Sequence, residues 1–175
     1  NLLTDRFLAY ITGCGDDAVW GAHRGSTDTT LPTGDRQVVV PYPVYFGGES
    51  RRWNGACCMC PAEPTSRDRL PVVGRAWLVT WDQLADIVAQ ENGLPTSAAS
   101  LPDQVPGPGE SVRVLDGVID LLLGMEAIDG HPACTLATSQ PPPAAPPSVS
   151  YRLVLAAGMA EMGLSEEVAE RHLLD

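Results

Sequence analysis

The sequence predicts an α+β protein in which short strands lie before and after one central helix and a helical segment ends the chain. Three observations support this class. Short β-branched and aromatic runs are separated by stretches rich in Pro and Gly, which is typical of strands joined by turns. One run near the middle repeats its apolar residues at helical spacing. Strands and helices do not alternate regularly, so a doubly wound parallel sheet is not expected.

The first third of the chain is expected to contain short strands. The apolar run RFLAYITGCG (6–15) ends in small residues and predicts a strand that enters a tight loop. The polar, turn-rich residues 21–36 predict a loop. The run QVVVPYPVYFGG (37–48) is β-branched and aromatic. Pro41 and Pro43 restrict it to an edge strand or to two short strands with a break between them.

Two further strands lead into the central helix. The run RRWNGACCMCP (51–61) follows a turn around Gly48–Arg51 and predicts a strand antiparallel to the preceding one. The run PVVGRAWLVT (71–80) predicts a fourth strand. Thr80 is then the expected N-cap of a helix with the sequence WDQLADIVAQEN (81–92). Its apolar face is defined by residues three and four positions apart, namely Trp81, Leu84, Ile87 and Val88.

The second half of the chain is expected to add strands and then helices. Residues 94–110 predict a loop rich in Pro, Ser and Gly, and residues 111–139 predict one or two strands, ending with the HPACTLAT run. The segment QPPPAAPPS (140–148) predicts an extended, semi-rigid connector. The tail predicts helix, with a stop at Gly163 and a new N-cap at Ser165.

Length and charge limit the classes of function. The 175 residues predict a single domain, 1–175. A formal net charge of −11 disfavours nucleic acid and anionic membranes as partners, since both favour basic surfaces. No apolar run reaches the roughly 20 residues of a membrane-spanning helix, and no secretory signal is visible. A cytoplasmic protein is therefore expected, with self-association or a second chain left open.

The cysteines predict reduced thiols. The count of five is odd, and three of them crowd into the CCMC run as Cys57, Cys58 and Cys60. A secreted disulfide framework would have an even number of spread-out cysteines. Zinc sites favour C-x2-C spacings in pairs, and this run is not accompanied by a second one. We therefore expect no bound metal.

Glu91 is the candidate catalytic residue that spacing alone leaves undecided. No nucleotide-binding, zinc-protease or serine-hydrolase motif is present, and His23, His131 and His172 are scattered. Glu91 follows Val88 by three residues and therefore lies near the apolar face of the central helix. A partly desolvated carboxylate there would suit general acid/base chemistry. On spacing alone, an ordinary helix terminus is the better supported interpretation.

The run VVGRAWLVTWDQLADIVAQENG (72–93) resembles the γ-glutamylcyclotransferase family, in which a strand with a G-x-x-(W/Y) pattern leads into a helix ending in Glu-Gly or a near variant. Three further segments resemble family segments in the same order. RFLAYITGCG is similar to the strand and Y-G-S-N loop. VYFGGESRRWNGACCM is similar to a Y-F-x-G-x-S-x-x-W-x-G-G segment of a bacterial branch, and PPSVSYRLVLAAGMAEMGLS to the terminal P-S-x-x-Y helix. The chain thus resembles a divergent bacterial member over nearly its whole length.

The resemblance implies a fold and a reaction. The fold would be a small mixed β-barrel with flanking helices and a cavity at one mouth. Glu91 would be the catalytic acid/base that lets the α-amine of a γ-glutamyl group attack its own γ-carbonyl. 5-Oxoproline and an amine would be released without a cofactor. Such a step would unmask an amine on a small molecule, and we expect it in secondary metabolism.

The resemblance also implies a substrate pocket around Glu91. Its expected residues are Tyr10, Ile11, Thr12, Gly13, Cys14, Tyr45, Trp53 and Tyr151. This chain departs from the family where relatives read Y-G-S-N, because it has Tyr10-Ile11-Thr12-Gly13. Two alternatives therefore stay open. One is a different ring closure on an amine-bearing intermediate with Glu91 as the base, and the other is a non-catalytic partner subunit on the same fold.

Overall fold

Four helices and seven strands make up the computed structural model, which describes residues 1–62 and 72–174. The helices are α1 (Thr4–Thr12), α2 (Trp81–Glu91), α3 (Val149–Glu161) and α4 (Glu166–Leu174). The strands are β1 (Asp35–Val40), β2 (Tyr45–Ser50), β3 (Gly55–Met59), β4 (Val72–Trp77), β5 (Ser111–Arg113), β6 (Leu121–Ile128) and β7 (His131–Ala137). A 3₁₀ turn, Thr96–Ala98, follows α2. The predicted α+β class is confirmed.

The strands form antiparallel sheets. β1 pairs with β4, β2 pairs with β3, and β6 lies between β5 and β7. A lone parallel bridge joins Pro61 to Thr138. Among the described residues these sheets remain separate and no closed barrel is found, so the barrel part of the prediction is not confirmed.

Several predicted elements are present. Residues 37–48 form two strands with a break at Pro41–Val44, and β3 pairs antiparallel with β2 as expected. Thr80 caps α2, and Ser165 caps α4 by accepting a hydrogen bond from the Val168 N–H at 3.3 Å. Residues 111–139 contain three strands and not one or two. Pro71, at which the fourth strand was expected to begin, lies outside the described residues.

The expected N-terminal strand is wrong, because these residues form α1. Phe7, Tyr10 and Ile11 are spaced as neighbours on one helical face and pack with Ile87 of α2 in a shared buried cluster. In a strand, Tyr10 and Ile11 would point to opposite faces, and both could not enter this cluster. Burial of the helical face therefore decides the structure of this run.

Hydrophobic clusters attach the helices to the strands. Val88 of α2 packs with Val114 and with Leu122 of β6. Trp53, in the turn between β2 and β3, packs with Tyr151 of α3. These contacts join α2 to β6 and α3 to the β2–β3 turn.

The proline-rich segment 140–148 lies along the β2–β3 hairpin. Its prolines have no N–H to donate, but their carbonyls can accept hydrogen bonds. The Gly48 N–H donates to Pro143 O at 3.0 Å, and the Ala56 N–H donates to Pro146 O at 3.1 Å. In return, the Ala145 N–H donates to Phe46 O at 3.1 Å. The predicted extended connector is thus also an added element of this hairpin.

No helix in the described part of the chain is both long enough and apolar enough to cross a lipid bilayer.

Candidate active site

A cavity of about 1160 Å³ lies between α1, α2, α3 and the strands. α2 contributes Glu91, α1 contributes Arg6 and Tyr10, the β2–β3 turn contributes Trp53, and α3 contributes Tyr151. The cavity therefore brings together residues from four separate parts of the sequence. Its volume is sufficient for a small-molecule substrate.

Both ends of α2 are held by hydrogen bonds, which gives Glu91 a defined position. At the start, Thr80 and Gln83 form a capping box, with the Gln83 N–H donating to Thr80 Oγ1 at 3.2 Å and the Thr80 N–H to Gln83 Oε1 at 3.0 Å. At the end, the Asn92 side-chain amide donates to the carbonyls of Val88 and Ile119, both at 2.9 Å. The Ile119 N–H donates back to Asn92 Oδ1 at 3.0 Å. Asn92 thus joins the Glu91 end of the helix to the loop before β6.

The Glu91 carboxylate faces a buried phenol. Tyr10 is 2% exposed, and its hydroxyl lies close enough to Glu91 for the two groups to interact. Burial, followed by the negative charge of Glu91, raises the pKa of Tyr10 well above its usual value. The phenol therefore keeps its proton at neutral pH and is a neutral hydrogen-bond donor close to the carboxylate.

Arg6 brings a positive charge to the same cavity. Its guanidinium lies 5.0 Å from the Trp53 ring centroid and 5.6 Å from that of Tyr151. Burial acts to lower the pKa of Arg6, but its interactions with Tyr10, Tyr151 and Glu91 leave that pKa raised overall. Arg6 is therefore a permanent cation beside the carboxylate.

A second polar pair lies next to Tyr10. The His23 ring lies 4.2 Å from the Tyr10 ring, centroid to centroid, and Gln90 is the residue before Glu91. Burial, followed by the charges of Arg52 and Arg6, lowers the pKa of His23 to about 4. His23 is therefore a neutral imidazole at physiological pH. Its Nε2 and the Oε1 of Gln90 are buried without hydrogen-bond partners among the described residues.

The aromatic residues that the sequence placed at the site line the cavity. The Tyr45 hydroxyl donates to Pro142 O at 2.5 Å, and the Tyr151 hydroxyl accepts from the Cys58 N–H at 3.3 Å. Trp53 and Tyr151 lie with ring centroids 4.8 Å apart. Together with Tyr10 they share the cavity with Glu91. Their contact with a substrate stays a prediction.

The structure does not bring the rest of the expected pocket loop to the cavity. Ile11 is 0% exposed in the core cluster of α1, and Thr12 Oγ1 donates back to Leu8 O at 3.1 Å. Gly13 ends α1, and Cys14 pairs through its backbone with His23. None of these four residues, Ile11, Thr12, Gly13 and Cys14, lines the cavity. The expectation that they line one pocket with Glu91 is therefore corrected.

Sequence reasoning missed Arg6, His23, Gln90 and Asn92 as site residues. A helical interpretation of residues 4–12 would have revealed the first, because Arg6 and Tyr10 are four residues apart and share a face. Asn92 was taken only as a helix stop, although its amide makes three hydrogen bonds. No pattern in the sequence joins His23 to this site.

The thiols at the cavity stay protonated. Burial raises the pKa of Cys57 and of Cys58, and it raises the pKa of Cys60 to about 11. A thiol is a poor nucleophile until it loses its proton, so these side chains act as buried apolar groups. All five cysteines are free thiols. The described residues contain no group of three or more His, Cys, Asp or Glu side chains placed to hold a metal ion.

Comparison with known proteins gives the fold. No protein-family model matches the chain, and no curated protein matches it. An uncharacterized protein from Homo sapiens is similar in structure, with a TM-score of 0.56 and 17% identity over 98% of this chain and 80% of that chain. A structure described as a gamma-glutamyl cyclotransferase has a TM-score of 0.56 and 16% identity over the same shares of the two chains. The chain therefore has the fold of a gamma-glutamyl cyclotransferase.

Proposed function

We propose that this protein cleaves a γ-glutamyl amide by intramolecular cyclisation and releases 5-oxoproline and an amine. The observation that carries the proposal is the position of Glu91 at a large cavity, close to the buried Tyr10. The shared fold with a gamma-glutamyl cyclotransferase makes this reaction the first to test. The substrate would be a small molecule that carries a masked amine, and the reaction would belong to secondary metabolism.

In the proposed reaction Glu91 moves one proton. Its carboxylate takes a proton from the α-amine of the γ-glutamyl group, and the amine nitrogen attacks the γ-carbonyl carbon of the same group. The new C–N bond closes the five-membered ring. The original amide C–N bond then breaks, and the protonated Glu91 returns the proton to the departing amine. Holding nucleophile and carbonyl in one molecule removes most of the entropic cost of their meeting.

The neighbours of Glu91 suit this role. Tyr10 is a neutral donor that orients the carboxylate, because burial keeps its proton in place. Arg6 supplies a positive charge in the same cavity. The capping box and Asn92 hold the helix that carries Glu91.

No specific observation favours the different ring closure. It rested on the altered Tyr10-Ile11-Thr12-Gly13 run as a pocket loop, and Ile11, Thr12 and Gly13 do not line the cavity. No observation specifically favours a non-catalytic subunit. We therefore propose the γ-glutamyl reaction alone.

The test is a Glu91→Gln variant assayed for 5-oxoproline release from a panel of γ-glutamyl amides. Glutamine keeps the size of the side chain but cannot take the proton. We expect the rate to fall by about 10²–10⁴-fold with little change in melting temperature. Glu126→Gln, at an exposed position of β6, is the matched control and should keep the wild-type rate. A Glu91→Gln variant as fast as wild type would leave Glu91 as a helix terminus. Wild-type protein inert toward the whole panel would refute the proposed reaction.

A further inference from the structure

Arg6 is a buried cation whose guanidinium is only partly satisfied. The residue is 7% exposed, and its Nε has no hydrogen-bond partner among the described residues. Among the described residues, no carboxylate lies within ion-pair distance of the Arg6 guanidinium. A buried charge is costly unless it is paired. The position of Arg6 therefore requires a partner that these residues do not supply.

Two other arginines at the cavity have partners for their guanidinium groups and serve for comparison. The Arg75 side chain makes ion pairs of 2.7 Å with both Asp35 and Glu161. Arg52 donates to the backbone carbonyl of Ala22 at 3.1 Å through two nitrogens. Arg6 has neither arrangement, so its role differs from these structural ones.

The surroundings of Arg6 prepare it for a planar anion. Trp53 and Tyr151 are 3% and 4% exposed, and their rings hold the guanidinium by cation–π contact. The rings contribute apolar surface and no acceptor for the guanidinium N–H groups. Those groups form a fork that matches a carboxylate, and such charge-assisted bonds are strong where water is excluded.

We propose that Arg6 binds the α-carboxylate of the substrate's γ-glutamyl group; this assignment rests on the proposed function. The α-carboxylate and the α-amine share one carbon atom. Arg6 and Glu91 lie close enough to interact electrostatically across the cavity. A carboxylate bound at Arg6 therefore brings the α-amine toward Glu91, which is the group that must receive its proton. Arg6 thus selects donors that carry a free α-carboxylate.

The test compares two ligands that differ only in this group. Binding of 5-oxoproline and of its neutral carboxamide is measured by calorimetry with the wild type, Arg6→Gln and Arg171→Gln. Arg171, paired with Glu167 on the surface of α4, is the matched control. Loss of one partner of a buried charged pair predicts that wild type and control prefer the carboxylate by about 10²-fold, and that Arg6→Gln prefers neither ligand.

Turnover gives a second comparison, between a γ-glutamyl amide and the same compound with its α-carboxylate converted to a carboxamide. We expect kcat/KM to favour the carboxylate by a similar factor in wild type and to lose that preference in Arg6→Gln. Arg6→Lys keeps the charge and should keep part of the preference, which a purely structural role would not require. Arg6→Lys also provides the comparison with wild type if Arg6→Gln fails to fold.

The outcomes separate the two proposals. Wild-type protein that fails to bind 5-oxoproline, or binds both ligands equally, overturns the assignment of Arg6 even if γ-glutamyl amides are cleaved. A folded Arg6→Gln variant that keeps the wild-type preference overturns it as well. Selective carboxylate binding that depends on Arg6, in a protein that cleaves no γ-glutamyl amide, supports the carboxylate site and refutes the proposed reaction.

Discussion

His23 should make the protein lose stability in mild acid. The unfolded chain has a His23 pKa near the ordinary value of about 6.5, whereas burial, followed by the charges of Arg52 and Arg6, lowers that pKa to about 4 in the folded protein. Between these values the unfolded chain binds a proton that the folded protein does not. The free energy of unfolding therefore falls as the pH decreases from about 6.5 toward 4.

The size of the effect follows from the two pKa values. At pH 5.0, relative to pH 7.5, protonation of the unfolded chain at His23 should cost about 2 kcal/mol of stability. Other groups also titrate in this range, so the useful quantity is the difference between wild type and His23→Gln. The glutamine cannot be protonated, so it removes the contribution of His23 to the pH dependence of stability.

The assay is urea unfolding at pH 7.5, 6.0 and 5.0. Loss of the ring contact with Tyr10 should lower the stability of His23→Gln by a similar amount at every pH. The free energy of unfolding of wild type minus that of His23→Gln should therefore decrease by about 2 kcal/mol between pH 7.5 and pH 5.0. His131→Gln, at an exposed position of β7, is the control and should follow wild type. Parallel curves for wild type and His23→Gln would show that the folded protein does not hold His23 neutral.

Two packing predictions concern the helices. Thr80→Ala removes the capping box with Gln83 and should lower the free energy of unfolding by about 1 kcal/mol in urea titration. An unchanged midpoint would show that the cap does not hold α2. Gly158→Ala should destabilise by about 1–3 kcal/mol, because the new Cβ would lie 2.4 Å from the backbone nitrogen of Leu3, and this overpacking exceeds the gain in helix propensity. Gly34→Ala, with open space around it, should cost much less; equal melting temperatures for the two variants would contradict the packing argument.

Local patterns predicted much of the fold. The β2–β3 pairing, the Thr80 cap of α2 and the helix break near Gly163 each depend on a few neighbouring residues, and each is present. α1 was missed because a short apolar run can satisfy a strand or a buried helix. The contact of this run with Ile87 favours the helix over the strand. Ile87 is distant in sequence, so the run alone does not reveal this contact.

The part of the candidate site that was predicted came from the family resemblance and not from spacing. Glu91 and the aromatic residues Tyr45, Trp53 and Tyr151 were predicted in this way, and all four line the cavity. Arg6 and His23 reach the same cavity from separate segments, and their proximity is a product of packing. The prediction that four residues of this run line the pocket followed from the interpretation of the run as a strand and a loop. One error of secondary structure therefore both moved Ile11, Thr12, Gly13 and Cys14 into the site and hid Arg6.

The proline-rich segment along the β2–β3 hairpin also bears on how the protein behaves at high concentration. An open strand edge can recruit a strand from another molecule and begin aggregation. Here the backbone groups of Phe46 and Gly48 are already bonded to the segment 140–148. The segment's five prolines have no N–H to offer outward, so the segment is a poor template for a further strand. The β2 edge of the hairpin is thereby closed to edge-to-edge association by the same segment that leads into α3.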